Sequence, residues 1–127
     1  LVGSEAAIAF NEEGHDVSII EMKKAVAEEV NSFYRGGLLP QVEKAAALYV
    51  NTKVVEIVPE GVKVERDGEV FVIGADSVVC ALGFRSPYAV VDALANEVDE
   101  YAIIGDCSNV GQIYQAINQG YFAALRI

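Results

Sequence analysis

The stretch that decides the fold is residues 1–21, LVGSEAAIAFNEEGHDVSIIE. Its alanine-rich first half predicts a helix over 3–13, which Gly14 ends in the left-handed conformation. The β-branched run 17–20 then predicts a short strand that closes at Glu21. A helix, a glycine and an apolar strand in this order make one step of an alternating α/β protein.

Gly3 and Glu21 stand where a dinucleotide-binding turn needs them. In a G-x-G-x-x-G turn, amides at the head of the helix bind the pyrophosphate, and the third glycine lets the helix pack closely on the strand. Gly3 fits that third position, and Glu21 follows 18 residues later, near the place of the acid that binds the adenosine ribose. A carboxylate there favours NAD over NADP because it repels a 2′-phosphate. The alternative is a packing glycine and an ordinary charge at a strand end.

Composition narrows the class of protein. The 127 residues are 53% hydrophobic and 22% charged, which excludes a disordered chain. The net charge of −10 argues against nucleic acid and anionic membrane as partners. No apolar run approaches the roughly 20 residues that cross a bilayer. Cys80, Cys107 and a single histidine offer neither a disulfide framework nor a metal site, so we expect a cytoplasmic protein. The opening without methionine suggests a piece of something longer, preceded by an apolar strand and two glycines.

The other expected elements follow from periodicity and turn signals. We expect a loop at 31–37 and Pro40 in the first turn of a helix. Asp67-Gly68 predicts a tight hairpin within a three-stranded antiparallel element at about 49–73. The expected helices after the first are 23–30, 38–48, 88–95 and 110–126, and the expected strands after the first are 49–58, 62–65, 69–73, 76–82 and 101–104.

These elements predict an α/β fold, namely a Rossmann-like parallel sheet that lacks its first strand, together with the three-stranded antiparallel element. The near-continuous apolar run 76–82 is expected to be buried on both faces, with Cys80 as a small buried hydrophobe. We hypothesise that Tyr101–Ile104 fills the vacant place in the parallel sheet. Strand exchange between chains, which would give a homo-oligomer, is the alternative.

Three segments resemble two-dinucleotide flavoprotein reductases. Residues 1–21 resemble their NAD(P)-binding domain, and 78–85 (VVCALGFR) resembles their second motif, an apolar strand that ends in Ala-x-Gly. Residues 104–107 (IGDC) and the helix that follows resemble their late FAD motif. The Gly-Asp-Cys ending and 115–121 (QAINQGY) look most like the C-terminal part of NADH:flavin oxidoreductases, the Old Yellow Enzyme-like 2,4-dienoyl-CoA and 2-enoate reductases.

The resemblance implies a longer parent enzyme. Its N-terminal barrel would hold FMN and an iron–sulfur cluster, and its C-terminal half would hold FAD and NAD(P)H. Hydride would pass from the nicotinamide to FAD, and electrons would reach the FMN to reduce an activated C=C bond. The barrel and half of the FAD domain lie outside this chain, so we expect the chain alone to be inactive. Residues 1–98 would be the NAD(P)-binding domain and 99–127 the end of the FAD-binding domain.

The candidate site residues all bind cofactor, and none is assigned a catalytic role. By the resemblance, Asp106 would hydrogen-bond the ribityl or pyrophosphate region of FAD, and the amides near Gln112 and Ile113 would face the flavin pyrimidine edge. The alternative for Asp106 is a loop turn. The full set comprises Gly3, Ser4, Glu5, Glu21, Ala81, Leu82, Gly83, Gly105, Asp106, Gln112 and Ile113.

Two opposing considerations stay open. Lys23 and Lys24 follow Glu21 and could accept a 2′-phosphate, which would weaken the preference for NADH. The chain could also be a non-catalytic nucleotide-binding or interaction module, or a fragment of a disulfide- or ferredoxin-type reductase.

Overall fold

The computed structural model describes residues 1–126, which form two compact units. The first unit runs from Leu1 to Ala81 and the second begins at Leu82. The expected boundary between 98 and 99 concerns which cofactor each part binds, and it stays a prediction.

The first unit contains two helices and two small sheets. Strand β1 (Val17–Ile20) pairs in parallel with β2 (Ala46–Tyr49), from Val17 opposite Ala46 to Ile20 opposite Tyr49. Helix α1 (Val2–Glu12) precedes β1, and helix α2 (Ser32–Ala45) connects the two parallel strands. Gly14 follows α1 with φ +93°, as the sequence predicts.

The second sheet is antiparallel and three-stranded, in the order β3 (Lys53–Val58), β4 (Gly61–Arg66) and β5 (Glu69–Gly74). The β4–β5 hairpin turns at Asp67 and Gly68, whose φ angles are +54° and +81°. Two successive positive φ angles are typical of the type I′ turn that an Asp-Gly pair favours. The predicted α/β class with this antiparallel element is therefore confirmed.

Alternate residues of β1 face two different cores, because successive side chains of a strand point to opposite faces. Ile19 packs against the cluster formed by Val26, Ala27, Leu38 and Val42 beside the helices. Ile20 packs against the cluster formed by Val62, Val64 and Ile73 of the antiparallel sheet. The parallel pair is therefore covered on one face by helices and on the other by the second sheet.

Helix α2 begins earlier than expected. The segment 23–30, expected to be helical, forms turns, and Ala27 has φ +53°. The expected loop 31–37 belongs instead to α2, which places Pro40 inside the helix rather than in its first turn. The Asn31 side chain accepts a hydrogen bond from the Tyr34 amide at 2.9 Å, which caps the helix start. Capping and the burial of Leu38 and Val42 stabilise the helix enough to offset the poor helix propensity of Gly36 and Gly37.

Two expected strands do not form. Residues 76–82 and 101–104 are not part of a β-strand. Tyr101–Ile104 does not join the parallel sheet, so the hypothesis that it fills the vacant place is wrong. Cys80 is exposed rather than buried. A strand is defined by hydrogen bonds to a neighbour, and apolar β-branched residues alone do not supply that neighbour.

The second unit contains α3 (Tyr88–Ala95), a 3₁₀ turn (Gly105–Cys107) and α4 (Ile113–Ala124). Helix α4 begins three residues later than the expected residue 110. Within residues 1–126, no helix has the length and apolar character that crossing a membrane requires.

Candidate functional site

In the first unit, Gly3 lies against Ala81. A Cβ atom placed on Gly3 would come within 3.0 Å of the Ala81 Cβ atom, closer than ordinary van der Waals contact. The missing side chain therefore lets α1 pack closely on the chain at Ala81. Such packing is the physical role of the third glycine in a dinucleotide-binding turn. The structure brings two of the predicted residues together.

Glu21 is held at the end of β1 by its backbone. Its N–H donates to the Tyr49 carbonyl oxygen at 2.9 Å, and its carbonyl oxygen accepts from the Thr52 N–H at 3.0 Å. Thr52 is 1% exposed and donates its hydroxyl to the Val50 carbonyl oxygen. This buried turn anchors the strand end, so the carboxylate starts from a fixed backbone position.

One oxygen of the Glu21 carboxylate is already bonded. Oε1 accepts the Lys23 amide N–H at 2.9 Å. Oε2 accepts no hydrogen bond from residues 1–126, and the side chain is only partly buried. A carboxylate with one oxygen fixed and the other open can accept a hydroxyl donor, as the binding of a ribose requires.

The Lys23 ammonium group is paired with an acid. Lys23 Nζ lies 3.8 Å from Glu29 Oε2. Oε1 of Glu29 accepts from the Leu1 amine at 3.0 Å. The pKa of Glu29 is lowered first by a hydrogen bond from its own backbone, then by the Leu1 amine. A lysine beside a carboxylate offers a 2′-phosphate less net positive charge than an isolated lysine.

Ser4 and Glu5 occupy the first turn of α1 in different environments. Ser4 is 5% exposed, and its amide N–H donates to the Leu1 carbonyl oxygen at 2.9 Å. Glu5 is exposed and accepts the Tyr34 hydroxyl at 2.8 Å. The hydrogen bond and the charge of Glu5 raise the pKa of Tyr34. This contact joins the first turns of α1 and α2.

In the second unit, the segments around Gly83 and Asp106 are linked. The Ser86 hydroxyl donates to the Asp106 carbonyl oxygen at 2.7 Å. Gly83 has φ +82°, a conformation that favours glycine, and Leu82 is 90% exposed. An open cleft of about 310 Å³ lies nearby, lined by Phe84, Arg85, Ser86, Tyr88, Asn109 and Val110.

Asp106 lies in the 3₁₀ turn before α4. Its Oδ1 accepts the Gly111 amide at 3.2 Å, while Oδ2 accepts no hydrogen bond within the described chain. Gly105 has φ +61°, and its N–H donates to Gln119 Oε1 at 2.6 Å. The aspartate therefore combines a bonded oxygen with a free one, as Glu21 does in the first unit.

The start of α4 leaves two backbone donors unused. The Gln112 amide donates to the Gln115 side chain, which closes a capping box. The Ile113 and Tyr114 amides have no acceptor among residues 1–126. Ile113 and Tyr114 therefore offer the unpaired amides at this helix terminus, and the predicted role of the Gln112 amide requires the Gln115 side chain to move away.

Several residues that contact the candidate site residues from distant parts of the chain were not identified from the sequence. Tyr34, Thr52, Ser86 and Gln119 contact Glu5, Glu21, Asp106 and Gly105 respectively. No short motif marks these contacts, because the partners lie between 14 and 31 residues apart along the chain. Within residues 1–126, no group of three His, Cys, Asp or Glu side chains is arranged to hold a metal ion.

Comparison with characterised proteins identifies relatives across the whole chain. It is 33% identical over 126 residues to bilirubin reductase of Mediterraneibacter gnavus, a match that covers 98% of this chain and 20% of that protein. It is 34% identical over 131 residues to NADH oxidase of Thermoanaerobacter brockii, covering 100% of this chain and 20% of that protein. The chain thus spans about a fifth of the length of these relatives. No protein-family model matches it.

Solved structures show the same fold. A 2-naphthoyl-CoA reductase complex superposes with a TM-score of 0.81 and 29% identity, over 98% of this chain and 19% of that one. The 6-hydroxypseudooxynicotine amine oxidase of Pseudomonas geniculata superposes with a TM-score of 0.81 and 26% identity, over 97% of this chain and 20% of that one.

These matches relate the chain to a region that makes up about a fifth of larger oxidoreductases. The predicted resemblance is confirmed: the chain is related to the C-terminal FAD/NAD(P)-binding region of the Old Yellow Enzyme-like NADH:flavin oxidoreductases. The relatives support a redox role within a larger protein.

Proposed function

We propose that the chain is the NADH-binding portion of a flavin-dependent oxidoreductase and contributes one segment of its FAD site. The observation that carries this proposal is Glu21, anchored by two backbone hydrogen bonds and left with one free carboxylate oxygen. The close approach of Gly3 to Ala81 supports it, because it provides the packing that a dinucleotide turn needs. The reductase and oxidase names of the relatives support the reaction class.

The residues of this chain bind and orient the cofactors. Glu21 accepts hydrogen bonds from the adenosine ribose, and the backbone at the head of α1 receives the pyrophosphate. Asp106 binds FAD through its free oxygen, and the Ile113 amide places positive potential at the flavin pyrimidine edge. Nicotinamide and flavin, when bound, supply the hydride donor and acceptor. Reduction of an activated C=C bond is then the proposed reaction of the longer parent enzyme.

The pairing of Lys23 with Glu29 supports NADH rather than NADPH as the donor. Lys23 is shared with Glu29, so it offers a 2′-phosphate beside Glu21 less net positive charge than an isolated lysine would. The Glu21 carboxylate itself repels the phosphate. A hydroxyl group carries no such penalty.

The test compares NADH with NADPH in the parent holoenzyme. We expect NADH to bleach the flavin absorption band and to have the lower KM. Glu21→Ala should raise the KM for NADH by roughly 10-fold or more, since a hydrogen bond to a charged group contributes about 1.5–3 kcal/mol. Glu28→Ala removes an exposed carboxylate that makes no side-chain hydrogen bond or ion pair within residues 1–126; it is the control and should change little. A preference for NADPH would contradict the role of Glu21, and an unbleached flavin would favour a non-catalytic module.

A further inference from the structure

The turn that carries Asp106 is held from both ends by one side-chain atom. Gln119 Oε1, on α4, accepts the Gly105 amide at 2.6 Å. The Ser108 hydroxyl lies 3.2 Å from the same oxygen and 3.1 Å from the Gly105 carbonyl oxygen. Gly105 and Ser108 flank Asp106, so the position of the aspartate depends on a contact made 14 residues further along the chain.

Gln119 suits this task because of its chemistry and its burial. Its side-chain carbonyl accepts more than one hydrogen bond and carries no net charge. Gln119 is partly buried, whereas Asp106 is exposed. Removing the acceptor would leave the Gly105 amide without its partner in a partly buried place, which is unfavourable.

Apart from the turn itself, few contacts fix the position of Asp106. Its side chain accepts one hydrogen bond, from the Gly111 amide, and its carbonyl oxygen accepts one from Ser86. Both partners lie in segments outside the regular elements of the unit. Helix α4 is the regular element that fixes the turn, and Gln119 makes the side-chain connection.

We propose that Gln119 is a positioning residue for FAD, which acts by fixing Asp106. The inference rests on the proposed function, because it takes Asp106 as a residue that contacts FAD. In this proposal, the side-chain oxygen Oε1 of Gln119 touches no cofactor but affects the affinity for FAD through Asp106.

The first experiment tests the contact without any cofactor. Amide hydrogen exchange is measured at Gly105 in the chain as it stands, with Gln119→Leu, Gln119→Glu and Asn118→Leu. Gln119→Leu should speed exchange at Gly105 by about 3- to 10-fold, the range of one neutral hydrogen bond. Gln119→Glu keeps an acceptor and should restore protection. Asn118 is the matched control, because it lies next to Gln119 and bonds only the Tyr114 carbonyl oxygen of its own helix. Unchanged exchange in Gln119→Leu would overturn the proposal.

The second experiment uses a double-mutant cycle in the FAD-loaded parent enzyme. Gln119→Leu should weaken FAD binding by about 3- to 10-fold. The same substitution in an Asp106→Ala background should have little further effect, because Gln119 acts through Asp106. Equal effects in both backgrounds would show a general structural role and overturn the proposal.

Failure of the proposed FAD role of Asp106 and failure of the positioning role of Gln119 give different results. If Asp106→Ala leaves FAD binding unchanged, the proposed FAD role of Asp106 is wrong, and the inference fails with it. If Asp106→Ala weakens binding but Gln119→Leu does not, the proposed function stands and the positioning role alone is overturned.

Discussion

Gly3 and Ala81 stand so close that a β-carbon at position 3 would lie 3.0 Å from the Ala81 Cβ atom. The two residues are 78 positions apart in the chain, and both are candidate cofactor-binding residues. Their contact shows that α1 and the segment ending at Ala81 meet without an intervening side chain. The head of α1 thereby receives the tight packing that nucleotide-binding turns share.

This contact predicts a cost for Gly3→Ala. An alanine normally improves a helix by up to about 1 kcal/mol over glycine. At Gly3 the crowding against Ala81 should cancel that gain or reverse it. Gly36, in α2, is the control, since a β-carbon there meets nothing within 4 Å. Urea unfolding should show Gly36→Ala to be more stable than Gly3→Ala. Equal stabilities would contradict the close contact.

The Tyr34–Glu5 hydrogen bond predicts a pH dependence. The pKa of Tyr34 is raised by Glu5, so the folded state holds the phenol proton more tightly than the unfolded chain does. The stabilisation is therefore complete below the ordinary tyrosine pKa of about 10, and it is lost as pH rises through the folded value.

Absorbance titration measures this shift as the difference between the protein and its Tyr34→Phe variant. Glu5→Gln should lower the Tyr34 pKa, because the carboxylate that holds the proton is removed. Glu28→Gln removes a charge that makes no contact with Tyr34 and should leave the titration in place. An unshifted curve in Glu5→Gln would show that the contact is absent in solution.

The core of the antiparallel sheet predicts a large loss for Val64→Ala. Val64 is fully buried at 0% exposure in the cluster with Val62 and Ile73. Removing two methyl groups should cost roughly 2–3 kcal/mol of unfolding free energy, through lost burial and a cavity. Val70→Ala, on a 55% exposed residue of β5, should cost much less. Similar losses for the two variants would argue against this core.

The cap of α2 predicts that Asn31→Ala destabilises the first unit by about 1 kcal/mol. The Asn31 side chain accepts the Tyr34 amide, and alanine leaves that donor without its partner. Asn31→Asp keeps an acceptor and should preserve stability. Urea unfolding that shows aspartate and alanine to be equally damaging would contradict a capping role.

Local patterns sufficed for the parts of the fold that depend on neighbours in sequence. The helix ending at Gly14, the strand at 17–20 and the hairpin at Asp67-Gly68 were all predicted, because capping, alternation and turn geometry act over a few residues. The candidate site residues also came from local motifs and from the resemblance. Their roles stay predictions.

The incorrect secondary-structure predictions share one physical cause, which is that contacts between residues distant in sequence decide these segments. Segment 23–30 has a helical pattern, but the burial of Val26 and Ala27 against α2 holds it in turns. Segment 76–82 has the composition of a buried strand, yet no strand pairs with it in the described chain.

The amino-acid sequence by itself determined the α/β class, the antiparallel hairpin and the candidate residues Gly3 and Glu21, since these depend on local geometry and motif spacing. Asp106 came from the resemblance to flavoprotein reductases. Only the tertiary structure decided which apolar runs become strands. It alone also showed that two side chains distant in sequence, those of Tyr34 and Gln119, support the site. Backbone pairing and side-chain hydrogen bonds need a partner at a particular place in space, and a local pattern does not specify that place.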